Sequence, residues 1–152
     1  MKNKAMDMIF INLKAENNQE VLTTLGTALF TGGYVDEGYI NAVISRESKF
    51  PTGLNIDGNI KVAIPHADSC YVNEGQIVFA SLENPVKFNN IENPEMQLDV
   101  NLVFMLAIKD PNKQAETLQK LMGMFENKDT LKQLTQCVTQ REAKIILEKE
   151  LN

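Results

Sequence analysis

The sequence is poor in the residue types from which metal centres and disulfide frameworks are built. Among its 152 residues there is one histidine, His66, and there are two cysteines, Cys70 and Cys137. The cysteines form no CxxC pair, and a closed zinc site needs four cysteine or histidine ligands. Two cysteines are also too few for the disulfide framework of a small secreted protein. We therefore expect reduced thiols and no structural metal.

Long apolar runs, clustered positive charge and several common motifs are missing as well. No segment approaches the roughly 20 apolar residues of a membrane span, and residues 1–10 lack the long apolar stretch of a signal peptide. The chain is therefore expected in the cytoplasm. A net charge of −5 argues against nucleic-acid binding, which requires clustered lysine and arginine. The motifs GxSxG, GxxxxGK[ST] and GxGxxG do not occur, which argues against a serine hydrolase and a phosphate-binding glycine loop.

What the sequence does contain fits an ordinary folded domain. Hydrophobic residues make up 43% and charged residues 23% of the chain, which is close to the globular average. A length of 152 residues suits one domain. We expect a single domain over residues 1–152, with a core from about residue 8 to residue 150.

Hydrophobic periodicity and turn residues divide the chain into alternating strands and helices, the pattern of an α/β fold. Strands are predicted at residues 8–13, 60–64, 76–82 and 98–108, and helices at 18–30, 35–46, 112–126, 129–136 and 140–151. Residues 47–58 are predicted to form a loop, because Pro51, Gly53 and Asp57–Gly58 interrupt them. Asn84–Pro85 and Asn93–Pro94 are predicted to form turns beside the later strands.

The single histidine lies where a reactive group could be presented. His66 follows the predicted strand 60–64 and comes directly after Pro65, whose ring constrains the backbone. Ligands of α/β sheets bind beyond the carboxyl ends of strands, although an ordinary strand-end histidine would fit the same pattern. With hydrolase, zinc and nucleotide motifs absent, covalent catalysis by the imidazole itself remains. A neutral ring nitrogen is a good nucleophile near pH 7 and could accept and pass on a phosphoryl group.

Three short motifs around His66 are more specific. Arg46–Glu47 is followed by residues 50–54 (FPTGL) and then by residues 62–67 (VAIPHA). In this order and spacing they resemble the IIA domains of the sugar phosphotransferase system, in the fructose/mannitol superfamily that also holds the nitrogen-regulatory, galactitol and ascorbate types. The wider resemblance covers about residues 8–150. It implies an α/β single domain in which helices flank a mixed β-sheet.

The resemblance also implies a phosphoryl carrier that needs no cofactor. His66 would accept a phosphoryl group from the histidine-phosphorylated carrier protein HPr and pass it to a cysteine of a IIB partner. Nε2 would be the phosphorylated nitrogen, with Nδ1 held by the protein. A membrane-embedded IIC component, rather than this chain, would contact the sugar.

Five further residues are candidates for the surroundings of His66. Arg46 matches the family's active-site arginine, whose guanidinium could pair with phosphoryl oxygens; a solvated cation at a helix end is the structural alternative. Thr52 and Gly53 are expected to shape the loop beside the site, with Thr52 a candidate hydrogen-bond donor. Glu47 is a candidate partner of Arg46 or a solvated charge. Asp68 could orient the imidazole or simply cap a turn.

One position departs from the pattern of many fructose/mannitol-type members. They carry a second histidine just before a Leu-x-x-Leu pair, and Thr117 stands there in this chain, before Leu118 and Leu121. Phosphoryl acceptance needs one nucleophile, so this difference does not exclude activity. Galactitol-type IIA proteins also lack that histidine, and the sequence favours this type. The alternatives are a regulatory protein of the nitrogen-related branch and a binding module that has lost phosphorylation.

Overall fold

A computed structural model describes residues 8–57 and 59–151 as five strands and five helices in alternating groups. The strands are β1 (Met8–Leu13), β2 (Gly53–Asp57), β3 (Ile60–Ala63), β4 (Gln76–Asn89) and β5 (Gln97–Ala107). The helices are α1 (Asn18–Thr31), α2 (Gly38–Lys49), α3 (Pro111–Phe125), α4 (Lys128–Gln136) and α5 (Gln140–Leu151). A single 3₁₀ turn, Ser69–Tyr71, lies between β3 and β4.

Side-chain caps begin several of these helices where the sequence supplies them. The Asn17 side chain accepts a hydrogen bond from the backbone N–H of Glu20 at 2.9 Å and so begins α1. At α5, Thr139 and Glu142 form a reciprocal capping box. Glu142 N donates to Thr139 Oγ1 at 3.2 Å, and Thr139 N donates to Glu142 Oε1 at 3.0 Å. These local signals explain why the starts of α1 and α5 were predictable, whereas α2, which has no side-chain cap, begins at Gly38 and not at the predicted residue 35.

The five strands form one mixed sheet in the order β1-β4-β5-β3-β2. The inner strand β5 runs antiparallel to β4 and parallel to β3. At the edges, β1 runs parallel to β4, and β2 runs antiparallel to β3. The expected α/β fold with a mixed β-sheet flanked by helices is therefore confirmed.

Helices cover both faces of this sheet and create two apolar cores. One core lies under α1 and α2, and its members include Leu25 and Tyr39. The other lies under α3, α4 and α5, and its members include Phe125 and Leu147. Strand β5 is buried from Leu102 to Ala107, as predicted for a strand covered on both faces. Within the described residues, none of the helices combines the length and apolarity that crossing a bilayer requires.

Two predictions about the middle of the chain were wrong. Residues 47–58 were predicted to form a loop, but α2 continues to Lys49 and residues Gly53–Asp57 form the edge strand β2. Asn84–Pro85 was predicted to be a turn, but β4 runs through it to Asn89. The register between β4 and β5 shifts between Ser81 and Val86. Such a bulge leaves residues outside the ladder, which is where a strand tolerates a proline.

Candidate active site

His66 lies at the carboxyl end of β3, where the parallel strand β5 also ends. It forms an isolated parallel bridge with Leu106, whose backbone N–H donates to the Pro65 carbonyl at 2.9 Å. The side chain is half-buried. This is the edge at which the sequence placed a candidate ligand site, because α/β sheets bind ligands beyond the carboxyl ends of their strands.

One backbone carbonyl decides which nitrogen of the His66 ring is free. Nδ1 lies 2.8 Å from the carbonyl oxygen of Ile64. A carbonyl oxygen only accepts hydrogen bonds, so Nδ1 carries the proton and Nε2 keeps its lone pair. Burial lowers the pKa of His66, and the nearby Arg46 charge lowers it further, against the opposing effect of the Ile64 hydrogen bond. The ring is therefore neutral near pH 7, with Nε2 able to act as a nucleophile.

Arg46 supplies a positive charge beside this ring. It lies in the last turn of α2, is exposed, and places its guanidinium carbon 5.4 Å from the centre of the Phe50 ring. A cation over an aromatic face is attracted by the ring's quadrupole. The Arg46 charge acts on His66, Glu47 and Asp68, lowering the pKa of each. Arg46 and His66 thus come from two separate elements, and the charge of Arg46 acts on the imidazole.

Glu47 and Thr52 are both buried and bond to each other. The Glu47 carboxylate accepts from the Thr52 backbone N–H at 2.8 Å and from the Thr52 hydroxyl at 2.9 Å. Burial raises the pKa of Glu47, although the two Thr52 hydrogen bonds and the Arg46 charge oppose the shift. The Thr52 hydroxyl in turn accepts from the Ile64 N–H at 3.2 Å. Glu47 is thus a buried group bonded to Thr52 and not a solvated charge.

Gly53 and Asp68 have structural roles that their contacts explain. A Cβ at Gly53 would lie 2.6 Å from the backbone oxygen of Asn89, so only glycine fits there. The exposed Asp68 side chain accepts from the Cys70 N–H at 2.9 Å and caps the 3₁₀ turn. Hydrogen bonds from the backbone and the side chain of Cys70 lower the pKa of Asp68. Of the two roles considered for Asp68, the structure therefore shows the cap of a turn. The charge of Arg46 also acts on its carboxylate.

Tyr39, which lies within the predicted helix 35–46, also supports the site. Its fully buried hydroxyl donates to the Leu106 carbonyl at 2.6 Å. Because Leu106 pairs with His66, this bond anchors the strand end on which the histidine lies. A tyrosine on the buried face of a helix indicates a hydrogen bond to a neighbouring element, since a buried hydroxyl normally has a partner.

Neither a metal site nor a second histidine accompanies these groups. Among residues 8–57 and 59–151, no three histidine, cysteine or acidic side chains gather closely enough to hold a metal ion. Thr117, where the resemblance to fructose/mannitol-type members led us to expect a second histidine, is half-buried in α3. The chemistry that this arrangement offers is nucleophilic attack by Nε2 on an electrophile whose negative charge the Arg46 guanidinium can balance.

A model of one known protein family matches most of the chain. A family model described as "Phosphoenolpyruvate-dependent sugar phosphotransferase system, EIIA 2" matches residues 4–150. The chain belongs to this family. The resemblance given by the three motifs, to the IIA domains of the sugar phosphotransferase system, is therefore confirmed.

Individual relatives of this EIIA chain differ in what surrounds the matching region. The transcriptional regulator ManR of Bacillus subtilis is 31% identical over 137 residues, which are 89% of this chain and 19% of ManR. The galactitol-specific EIIA component of Escherichia coli K12 is 29% identical over 118 residues, 78% of this chain and 77% of that protein. A solved complex of the mannitol enzyme IIA and phosphorylated enzyme IIB from E. coli matches with a TM-score of 0.77 at 24% identity, covering 97% of this chain and 98% of the matched chain.

Proposed function

We propose that this EIIA chain carries a phosphoryl group on Nε2 of His66, receiving it from phosphorylated HPr and passing it to a cysteine of a IIB component. The observation that carries the proposal is the 2.8 Å contact between Nδ1 and the Ile64 carbonyl, which leaves Nε2 as the free nucleophile. In the first step the Nε2 lone pair forms a bond to phosphorus as the phosphorus–nitrogen bond of phospho-HPr breaks. In the second step a IIB thiolate takes the phosphoryl group and Nε2 recovers its lone pair.

Arg46 is the proposed electrostatic partner of the transferring group. Its charge lowers the pKa of His66, so its field reaches the ring that would carry the phosphate. A planar guanidinium presents several donors in a fixed geometry that matches phosphoryl oxygens. Preorganised positive charge is a large contribution to phosphoryl transfer, because little other chemistry is required of the protein.

We infer a galactitol-type transport role as the first choice. It is supported by the galactitol-specific E. coli relative, of which the match covers 77%, and by Thr117 in place of a second histidine. In this role the chain works in the cytoplasm, and the membrane IIC permease depends on it only through IIB. The regulatory alternative is favoured by one observation, the 31% identity to part of the transcriptional regulator ManR.

Intact-mass spectrometry tests the proposal. The chain is incubated with phosphoenolpyruvate, enzyme I and HPr at neutral pH, and we expect a gain of one phosphoryl group that mild acid removes. His66→Ala should gain none, whereas Cys70→Ser, a change at an exposed residue of the same loop, should gain the group normally. No gain by the wild-type chain, with a control IIA phosphorylated in parallel, would overturn the proposal.

A second incubation separates transport from regulation. The phosphorylated chain is mixed with purified galactitol-type IIB, and loss of the group from the chain is followed together with its appearance on the IIB cysteine. Transfer is expected for a transport component. A stable phosphohistidine in the presence of an active IIB would instead favour the regulatory alternative.

A further inference from the structure

A chain of three hydrogen bonds leads from a buried carboxylate to the His66 ring. Glu47 accepts from the Thr52 hydroxyl at 2.9 Å, and that hydroxyl accepts from the Ile64 N–H at 3.2 Å. The Ile64 carbonyl then lies 2.8 Å from His66 Nδ1. Residue 64 is therefore held on its N–H side by Thr52, while its carbonyl side holds the imidazole.

On the side that faces β2, the backbone of residue 64 depends on Thr52 because the β2–β3 ladder stops before it. The antiparallel pairing of β2 and β3 ends at Gly53 and Ala63. The Ile64 N–H is hydrogen-bonded to the Thr52 hydroxyl instead, and the next residue, Pro65, has no N–H to offer. Thr52 is 3% exposed, so water gives little competition for this bond.

The direction of each bond in this chain requires two acceptor oxygens at residue 47, which a glutamate supplies. The Thr52 hydroxyl accepts from Ile64, so its own hydrogen must be donated elsewhere, and the Thr52 backbone N–H also needs an acceptor. The two oxygens of Glu47 accept one bond each. A glutamine would present one oxygen and one NH₂ group, and would leave one of these donors facing another donor.

We propose that Glu47 and Thr52 are positioning residues that fix the His66 tautomer by holding the Ile64 carbonyl against Nδ1. Neutral histidine free in water favours the proton on Nε2, so the opposite tautomer has to be imposed by an acceptor beside Nδ1. Without the Thr52 hydroxyl, the residue 64 backbone can turn and the proton can move to Nε2. On the proposed function, each ring with a proton on Nε2 has lost its nucleophilic lone pair.

Nuclear magnetic resonance of the imidazole nitrogens tests this proposal directly. The chain has one histidine, so the ¹⁵N shifts of a histidine-labelled sample report His66 alone, and no phosphoryl donor is needed. We expect the wild-type ring to show a protonated Nδ1 and a bare Nε2 at pH 7.5. Thr52→Val and Glu47→Gln should each shift the population towards the Nε2–H tautomer. Thr52→Ser, which keeps the hydroxyl that Thr52→Val removes, should show the wild-type shifts.

Thr130→Val is the matched control, because Thr130 is a buried threonine in α4, on the opposite side of the sheet from α2. It should leave the His66 shifts unchanged. An unaltered tautomer in Glu47→Gln and in Thr52→Val would overturn the proposal, as would loss of the wild-type pattern in Thr52→Ser. If Thr52→Val does not fold, the Glu47→Gln spectrum decides.

A kinetic readout connects the tautomer to the proposed function. The rate of phosphorylation by phospho-HPr should fall by the same factor as the population of rings with a protonated Nδ1. Failure of the wild-type chain to be phosphorylated would count against the proposed function only, because the tautomer measurement stands without it. A changed tautomer with an unchanged phosphorylation rate would overturn the link between the two.

Discussion

At the scale of single residues, the properties of the site follow from one half-buried imidazole that contacts a backbone carbonyl and lies within the field of a guanidinium. The Ile64 carbonyl fixes the proton on Nδ1, and burial together with the Arg46 charge keeps the ring neutral. Neither the Ile64 carbonyl nor the Arg46 guanidinium is a general base. The histidine is made nucleophilic by the position of its proton and by its lowered pKa, which are both properties of the fold.

The lowered pKa of His66 predicts a pH dependence of stability. The unfolded chain binds a proton at His66 with a pKa of about 6.5, and the folded chain binds it with a lower pKa. Between these two values the unfolded state holds more protons, so the free energy of unfolding rises with pH. The contribution is fully present above about pH 6.5 and is lost as the pH falls through the folded value.

Urea denaturation of the wild type and of His66→Gln between pH 5 and 8 measures this contribution. The glutamine amide can still donate to the Ile64 carbonyl but does not titrate. The wild-type free energy of unfolding, minus that of the variant, should rise with pH up to about 6.5 and then stay constant. A difference that is flat over the whole range would mean that the folded chain does not depress the pKa of His66.

The charge of Arg46 predicts a kinetic effect without loss of the acceptor. Arg46→Ala should slow phosphorylation of His66 by about 30- to 1,000-fold, which corresponds to roughly 2–4 kcal/mol of electrostatic stabilisation. Lys49→Ala is the control, because Lys49 is an exposed cation in the same last turn of α2. Stopped-flow or quenched transfer from phospho-HPr gives both rates. Equal rates in the two variants would mean that Arg46 is a solvated cation at a helix end with no role in phosphoryl transfer.

At the scale of elements, the edge strand β2 is held in place by a close backbone contact at Gly53. The Ile91 N–H donates to the Gly53 carbonyl at 2.8 Å, and the Asn89 oxygen would lie 2.6 Å from an added Cβ. Because the neighbour is backbone, it cannot move aside as a side chain would. The start of β2, and Thr52 just before it, therefore depends on a glycine.

Gly53→Ala is predicted to lower the free energy of unfolding by about 1–3 kcal/mol, the usual cost of overpacking. Gly123→Ala is the matched control, since nothing lies within 4 Å of an added Cβ at that position in α3. In a helix interior that change should stabilise the chain by about 0.5–1 kcal/mol. Chemical denaturation measures both variants. A neutral Gly53→Ala would show that the β2 contact adjusts without cost.

The elements that could be predicted from sequence are those with a strong internal pattern. The helices carry apolar residues at helical spacing and side-chain caps such as Asn17 and Thr139, and β5 is a continuous apolar run. The edge strand β2 has no comparable pattern, because it is short and lies at the edge of the sheet beside β3. Its existence depends on tertiary pairing, which local propensity does not report.

The candidate site also has features that could be predicted from sequence and features that could not. His66 and Arg46 could be proposed as site residues from motif order, and the charge of Arg46 acts on the His66 ring. The bonding of Glu47 to Thr52, the bond of Tyr39 to Leu106 and the identity of the carbonyl that holds Nδ1 could not. They depend on which backbone groups remain unpaired where a ladder ends, and that is decided by strand order and register.

At the scale of the whole molecule, two cores share one sheet and should unfold together. Strand β5 contributes Met105 to the core under α1 and α2, and Phe104 to the core under α3–α5. Loss of packing on either face therefore weakens the strand that the other face also uses. Small domains of this size usually unfold in one cooperative transition.

Leu25→Ala and Leu147→Ala, one on each face, test this coupling. Each leucine is at most 1% exposed, and each change should cost about 2–5 kcal/mol. Far-ultraviolet circular dichroism and the ring-proton resonance of His66 should give the same urea midpoint in each variant. Separate midpoints for the two signals would show that the faces unfold independently.

The single free nitrogen of His66 has a consequence for the flow of phosphoryl groups through the protein. Under the proposed function, one nitrogen stores one phosphoryl group, so the protein population is described by a single occupancy between zero and one. At steady state that occupancy is set by the rate of charging relative to the rate of discharge, because donor and acceptor use the same atom in turn. A transport component and a sensor then differ only in what reads this occupancy. A chain that delivers phosphoryl groups to a transporter thus also reports how fast the transporter is consuming them.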